Sequence, residues 1–385
     1  MTDIFRITAK TYYGFEDILM KEVEELGGTN IKRLQRAVSY DGDQEILYKS
    51  NLHLRTALSI LKPITTFKVK NVDQLYQQVK RIAWENYFDV DDTFAISAVT
   101  HGELFTHSKY AALKSKDAVV DRFKEKFNKR PDVNREDPDI LINIRISEDY
   151  VTVSLDSSGQ SLNIRGYRKE ATRAPLSEVL AAGMIILSAW DKKKAFLDPM
   201  CGSGTIAIEA ALMACRIAPG SFRNFQFESW HDFDEELWQK LRAEAEAQEI
   251  KHDGIIRAYD MDHRALEIAE ENSIRAAVSK EIFFKQVVFK DATKDNKTYH
   301  IVTNPPYGNR LNPEADMDPF YDSMGTHLKH EFEGSDAWVI SGNLPSLKRI
   351  GLKPSTKIKL FNGPTECRFN HYQLYRGSKK GVKPS

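Results

Sequence analysis

Residues 300–313, HIVTNPPYGNRLNP, set an Asn, two prolines and a Tyr directly after an apolar run. Proline donates no backbone hydrogen bond and stiffens the chain, so one alone would end a strand. Two, flanked by Asn304 and Tyr307, point to a rigid turn that presents something. The chemistry it suits is attack by an exocyclic nucleobase amine, a poor nucleophile because its lone pair is delocalised into the ring. If the amine donates to the Asn304 side-chain oxygen and the Pro305 carbonyl, its nitrogen can pyramidalise as it attacks. Pro305 and Pro306 would hold those acceptors fixed, and Tyr307 would stack on a base rotated out of its helix. A purely structural turn is the bland alternative.

Three other strand tips carry groups suited to a ligand. DPMCGSGT (198–205) follows AFLD, and its Gly202 and Gly204 allow a tight turn and close backbone approach. The spacing Gly202-x-Gly204-x-x-Ala207 also satisfies the dinucleotide pattern, so NAD is a rival ligand. That pattern wants its acidic residue about 20 positions on, whereas Gly204 and Asp260 are 56 apart. Asp260 follows IIRAY, where a carboxylate can accept from ribose hydroxyls, while Asp262 suits the N-cap of the next helix. Asp291 follows VVF and could accept from an adenine amine. Cys201 invites a nucleophile reading, but a small residue in a tight ligand loop fits better.

The elements that must position these tips alternate in type. A helix over about 175–190 precedes strand KKAFLD. Helix TIAIEAALMAC, a polar insertion at 216–253, strand GIIRAY and helix HRALEIAEENSIRAA follow. Three more strands, EIFFKQVVF, YHIVT and AWVIS, complete a doubly wound, mostly parallel sheet. Ligands of such sheets sit beyond the carboxyl ends of the strands. The N-terminal part reads as smaller α/β pieces. FRITAK, LQRAVSYDG and FAISAVT are strands, GFEDILMKEVEELGG, LYQQVKRIAWENYF and 110–130 are helical, and two strands turn at Glu148–Asp149.

The whole chain, 385 residues, is long enough for two or three domains. Lys+Arg and Asp+Glu both number 55, so total charge gives no hint of a polyanionic partner. Three cysteines, without ligand spacing, suggest a reduced cytoplasmic setting with no structural zinc. The N-terminus has no apolar signal region, no segment approaches a membrane span, and the histidines form no metal set.

FLDPMCGSGTIAIEA, YDMD, KDAT and TNPPYG together resemble a class I S-adenosylmethionine-dependent methyltransferase of the amine-methylating kind. SLNIRGYRKEATRAPLSEVLAAGMI (161–185) and FNGPTECRF (361–369) are similar to the THUMP-domain RNA methyltransferases that act on 23S rRNA guanine N2. The resemblance implies a Rossmann-like α/β methyltransferase domain at 165–385. Ahead of it would lie an α+β region, ferredoxin-like at 1–55 and a THUMP RNA-binding domain at 56–160. It places Asp198, Pro199, Cys201, Gly202, Gly204 and Thr205 on the methionine part of the cofactor. Asp260 and Met261 fall on the ribose, Asp291 and Ala292 on the adenine, and Asn304–Tyr307 on the target amine. Arg173 and Pro175, in TRAPL, join the cofactor side.

Residues 109–130 carry eight Lys/Arg against three Asp/Glu. Lys109, Lys114 and Lys116 are accordingly read as phosphate contacts, which position RNA without reading its sequence. Tyr110 and Phe123 are read as core. The insertion 228–253 has nine acidic residues against three Lys/Arg and reads as a face RNA avoids. The expected activity is methylation of a guanine N2 in RNA, with 23S rRNA favoured. Its rivals are tRNA, adenine N6, an NAD-dependent oxidoreductase and a non-catalytic RNA-binding protein.

Overall fold

The computed structural model describes residues 3–168, 176–308 and 316–375. Contacts divide the chain into two compact units, one of residues 1–11, 19–162 and 223–243, the other of 12–18, 163–222 and 244–385.

The first unit is built on an eight-stranded sheet. Its strands are β1 (Phe5–Thr11), β2 (Thr29–Leu34), β3 (Ala37–Gly42), β4 (Ala57–Lys68), β5 (Thr93–His101), β6 (Asp132–Val133), β7 (Ile140–Ser147) and β8 (Tyr150–Asp156). They lie in the order β2-β3-β1-β4-β8-β7-β5-β6. The helices are α1 (Glu16–Glu25), α2 (Gln44–His53), α3 (Val72–Arg81) and α4 (Ser108–Phe127). LQRAVSYDG, read as one strand, contains a reversal: Arg36 takes a left-handed φ of 54°, and β2 and β3 pair antiparallel around it. Strand β4 gave no sequence signal because Pro63 interrupts it. The sheet accommodates that proline at a register shift between Pro63 and Thr65. Phe123 is core, with its ring 4.9 Å from that of Phe88. Tyr110, read as core, is instead 50% exposed, because α4 turns that face to solvent.

Segment 223–243 belongs to this first unit through its aromatic residues. Phe227 stacks on Tyr48 at 4.2 Å, and the Trp238 ring meets Phe227 edge-on at 5.1 Å. Of the nine acidic residues in 228–253, those in this segment include Asp232, Asp234, Glu235 and Glu236, which are exposed on the outer face of an apolar strap.

The second unit carries the alternating βα pattern. Its strands are β9 (Ala195–Asp198), β10 (Ile256–Asp260), β11 (Ile282–Gln286), β12 (Tyr299–Thr303), β13 (Asp336–Ser341), β14 (Thr356–Asn362) and β15 (Thr365–Gln373). Their order is β11-β10-β9-β12-β13-β15-β14. β9 to β13 run parallel, and β15 inserts antiparallel between β13 and β14. Helices α5 (Glu178–Leu187), α6 (Thr205–Ala214), α7 (Glu235–Ala247), α8 (His263–Arg275), α9 (Asp318–Glu331) and α10 (Leu344–Leu347) complete the chain. The strand order reverses between β9 and β12, which puts the crevice of a doubly wound sheet at their carboxyl ends. The C-terminal hairpin is closed by Gly363 at φ 60°.

Helix α9 buries Tyr321, Met324 and Leu328 against Leu197, Ile301 and Val339 of the sheet. Gly325 faces the turn at 348–350, where a Cβ would lie 1.8 Å from the Ile350 carbonyl oxygen, so its lack of a side chain lets α9 pack closely on that turn. Gly325→Ala should therefore push α9 outward and destabilise the protein by about 1–3 kcal/mol. Chemical denaturation would measure it, and an unchanged midpoint would refute the packing argument.

Candidate active site

A cavity of about 1100 Å³ opens over the carboxyl ends of β9, β10 and β12, wholly within the second unit. Asp198, Pro199, Cys201, Gly202, Thr205, Asp260, Met261 and Asn304 through Tyr307 all line it. Three of the four expected stretches, far apart in sequence, thus line one cavity. Arg173 and Pro175 lie outside the described residues.

Asp198 ends β9 and is fully buried. The Met200 amide donates to its Oδ1 at 3.3 Å. Burial pushes its carboxyl up to about 7, with the Met200 amide and the Thr303 hydroxyl offsetting part of that rise. Asp260 ends β10 and shapes the glycine turn. Its Oδ2 accepts from the Gly202 amide at 2.8 Å, and its Oδ1 accepts from the Asp262 amide at 3.0 Å. Asp262 is the N-cap of α8, as read from the sequence. Cys201 is buried, and desolvation holds its thiol well above the usual range, so it stays neutral and no nucleophile forms there.

Three expected cofactor residues stand differently from their reading. Gly204, at φ 82°, faces α8: a Cβ would lie 2.9 Å from the Ala269 Cβ, so helix packing alone requires a glycine there. Strand β11 ends at Gln286, short of KDAT, and Asp291 closes a 3-10 turn over Phe289–Asp291. Asp291 faces a smaller recess with Met261, Lys285 and Gln286, while Val288, Phe289 and Lys290 of the same turn line the main cavity. Ala292 is in the apolar core, its carbonyl accepting from His327 Nε2 at 2.8 Å.

The Asn304–Tyr307 loop leaves β12 at the fourth tip. The Tyr307 hydroxyl donates to Asn304 Oδ1 at 2.7 Å and lies 3.8 Å from Cys367 Sγ. Tyr321 donates to the Pro306 carbonyl at 3.2 Å, and Asn343 Nδ2 to the Tyr307 carbonyl at 3.1 Å. Burial drives the Tyr307 phenol far above its ordinary range, so it remains a donor.

Sequence reading missed Arg168, Phe289, Tyr321 and Asn343. Arg168 donates to Thr205 Oγ1 at 2.6 Å and to the Leu176 carbonyl at 3.0 Å, and pairs with Glu178 at 3.3 Å. It therefore braces the first turn of α6, and RGYR was the available signal. In the first unit, Lys109, Lys114 and Lys116 lie along the first turns of α4. Lys114 Nζ is 5.9 Å from the Tyr110 ring centroid, and Lys116 pairs with Asp117 at 2.6 Å. Asp89, Asp92 and His231, unremarked in the sequence, come within 4.8 Å of one another.

Residues 165–371 match the family model described as RMKL-like, methyltransferase domain, which covers more than half of the chain. The chain belongs to the RMKL-like methyltransferase family. Residues 69–156 match the THUMP domain model and 6–61 the RlmL ferredoxin-like domain model. A Synechocystis protein provisionally named an RNA methyltransferase is 35% identical over 381 residues, covering 97% of this chain and 99% of its own. The ribosomal RNA large subunit methyltransferase K/L of Psychromonas ingrahamii is 39% identical over 381 residues. That alignment covers 97% of this chain but 50% of the relative, so the chain spans about half of that protein's length. The structure of SMU.472, provisionally described as a methyltransferase and solved with S-adenosylhomocysteine, superposes with a TM-score of 0.87 at 30% identity. It covers 98% of this chain and 100% of that one.

The family uses S-adenosylmethionine, and the cavity fits it. The Gly202 turn, the Asp260 carboxylate and the apolar Met261, Val288 and Phe289 offer polar groups to a ribose and an amino acid and flat apolar walls to a base.

Because the Asp198 carboxyl is raised from 3.8 to about 7, the folded state binds its proton more tightly than the unfolded chain. Its stabilising contribution is fully present below pH 4 and is lost as pH rises through about 7, at up to about 1.4 kcal/mol per pH unit. Glu178, raised by burial to about 7, acts in the same direction. Unfolding free energies of the free enzyme should fall between pH 5 and 8, and Asp198→Asn should make that fall shallower. An identical slope in the variant would refute the assignment.

Proposed function

We propose that this chain methylates the exocyclic N2 amine of a guanine in RNA, with 23S rRNA as the favoured substrate. One observation carries the reading: the Asn304–Tyr307 loop closes the same cavity as Asp198, the Gly202 turn and Asp260. A cofactor site and an amine-accepting loop in one cavity suit transfer between them. The THUMP match and the names of the relatives support RNA as the substrate class.

S-adenosylmethionine, when bound, supplies a methyl group on an electrophilic sulfonium. The Gly202 turn, Asp260, Met261 and Phe289 hold it, and Asp260 also keeps the turn in shape. Asn304 Oδ1 and the Pro305 carbonyl accept the two N–H bonds of the target amine and localise its lone pair on nitrogen. Tyr307 offers its ring to the extruded base. Such a reaction depends on alignment more than on proton transfer during attack, so the buried neutral Cys201 has no chemical part. The extra proton leaves to water after transfer. Lys109, Lys114 and Lys116 would contact phosphates.

Nucleosides from rRNA and tRNA of a deletion strain, mapped by mass spectrometry, should lack N2-methylguanosine at one 23S site. Loss from tRNA would move the substrate, loss of N6-methyladenosine would change the base, and unchanged RNA pools would end the proposal. Asn304→Ala should lower kcat by two to three orders of magnitude, since one aligned acceptor contributes roughly 3–4 kcal/mol. RNA retention on filters should be unaltered.

A further inference from the structure

The loop that receives the amine is itself held by a second set of side chains, none of which lines the cavity. The Pro306 carbonyl accepts from the Tyr321 hydroxyl, which comes from α9. The Tyr307 carbonyl accepts from Asn343, which follows β13. Ser341, fully buried at the end of β13, joins the two: its hydroxyl lies 2.7 Å from the Tyr321 hydroxyl, and its oxygen accepts the Asn343 amide at 3.0 Å.

The hydrogens in this chain have one consistent arrangement. Tyr321 has a single proton and gives it to Pro306, so Ser341 donates to the Tyr321 oxygen while accepting from the Asn343 backbone. The Asn343 carboxamide is also oriented, because its Oδ1 accepts from the Ser346 amide at 3.1 Å and leaves Nδ2 for Tyr307. Gly342 completes the seat. A Cβ there would lie 3.1 Å from the Tyr307 ring, so the ring rests directly on this backbone.

We infer that Tyr321, Ser341 and Asn343 are positioning residues for methyl transfer, fixing the 305–307 backbone so that the Asn304 and Pro305 acceptors meet the amine. The assignment rests on the amine-methylation reading above. Alignment of this kind acts on turnover: a loop displaced by about an ångström can lose roughly 10²-fold in rate, while a cofactor held by the Gly202 turn and Asp260 is retained. Because Tyr321 and Asn343 act through one loop, their effects should not multiply.

The test measures radiolabelled methyl transfer from S-adenosylmethionine to RNA extracted from a deletion strain, with cofactor affinity by calorimetry and thermal melting alongside. Tyr321→Phe and Asn343→Ala should each lower kcat about 10- to 100-fold, with cofactor Kd and RNA KM changed less than about threefold. The double variant should lose little more than the worse single one. Ser341→Ala gives a milder loss in the same direction and supplies the comparison should Tyr321→Phe fold poorly. Wild-type kcat in folded Tyr321→Phe and Asn343→Ala, with wild-type transfer intact, overturns this inference alone. A loss confined to melting temperature or cofactor Kd does the same. Failure of the wild type to label any RNA amine removes the amine reading and this inference together.

Discussion

Strands β9 and β12 lie side by side, and from them the sheet extends in opposite directions. Every feature of the site follows from that reversal. Helices leaving neighbouring parallel strands on the two sides of the reversal cannot both cover the sheet's carboxyl edge, so a crevice stays open there. Asp198 ends one of these strands and Asn304 follows the other. A residue that would contact the methyl donor and one that would accept the target amine thus become neighbours although 106 positions separate them.

The crevice is kept in shape by internal hydrogen bonds. Asp260 binds the amides of Gly202 and Asp262, which fixes the turn below it. Tyr321 and Asn343 do the same for the 304–307 loop. Polar groups already held in place need no reorganisation when charge shifts between reacting atoms, and this is where fixed dipoles gain over water. Asp198 shows the opposing term: a carboxyl taken fully out of water favours its protonated form, so the site is built at some expense of stability near neutral pH.

Segment 223–243 shows what a charge count leaves out. Its acidic excess is plain in sequence, yet its placement is decided by Phe225, Phe227 and Trp238, which pack as one aromatic group with Tyr48. The hydrophobic gain of burying such rings outweighs what scattered surface carboxylates contribute. The same holds for Tyr110, an aromatic whose helical pattern reads as core and which is exposed beside Lys114.

The sequence by itself determined the alternation of strands and helices in the second unit and the three strand tips that carry Asp198, Asp260 and Asn304–Tyr307. These are local: a short apolar run, a glycine turn, a capping Asp262 and a pair of prolines each act within a few residues. Tertiary structure decided which residues of each tip face the cavity. Asp291 was displaced because β11 stops at Gln286, and Gly204 was turned toward Ala269 by the packing of α6 on α8. It also recruited Arg168, Tyr321 and Asn343, whose hydrogen bonds to Thr205, Pro306 and Tyr307 span 15 to 37 positions. No local spacing rule reports a donor that distant. Only the folded sheet, with α9 packed on it, brings the Tyr321 hydroxyl within 3.2 Å of the Pro306 carbonyl.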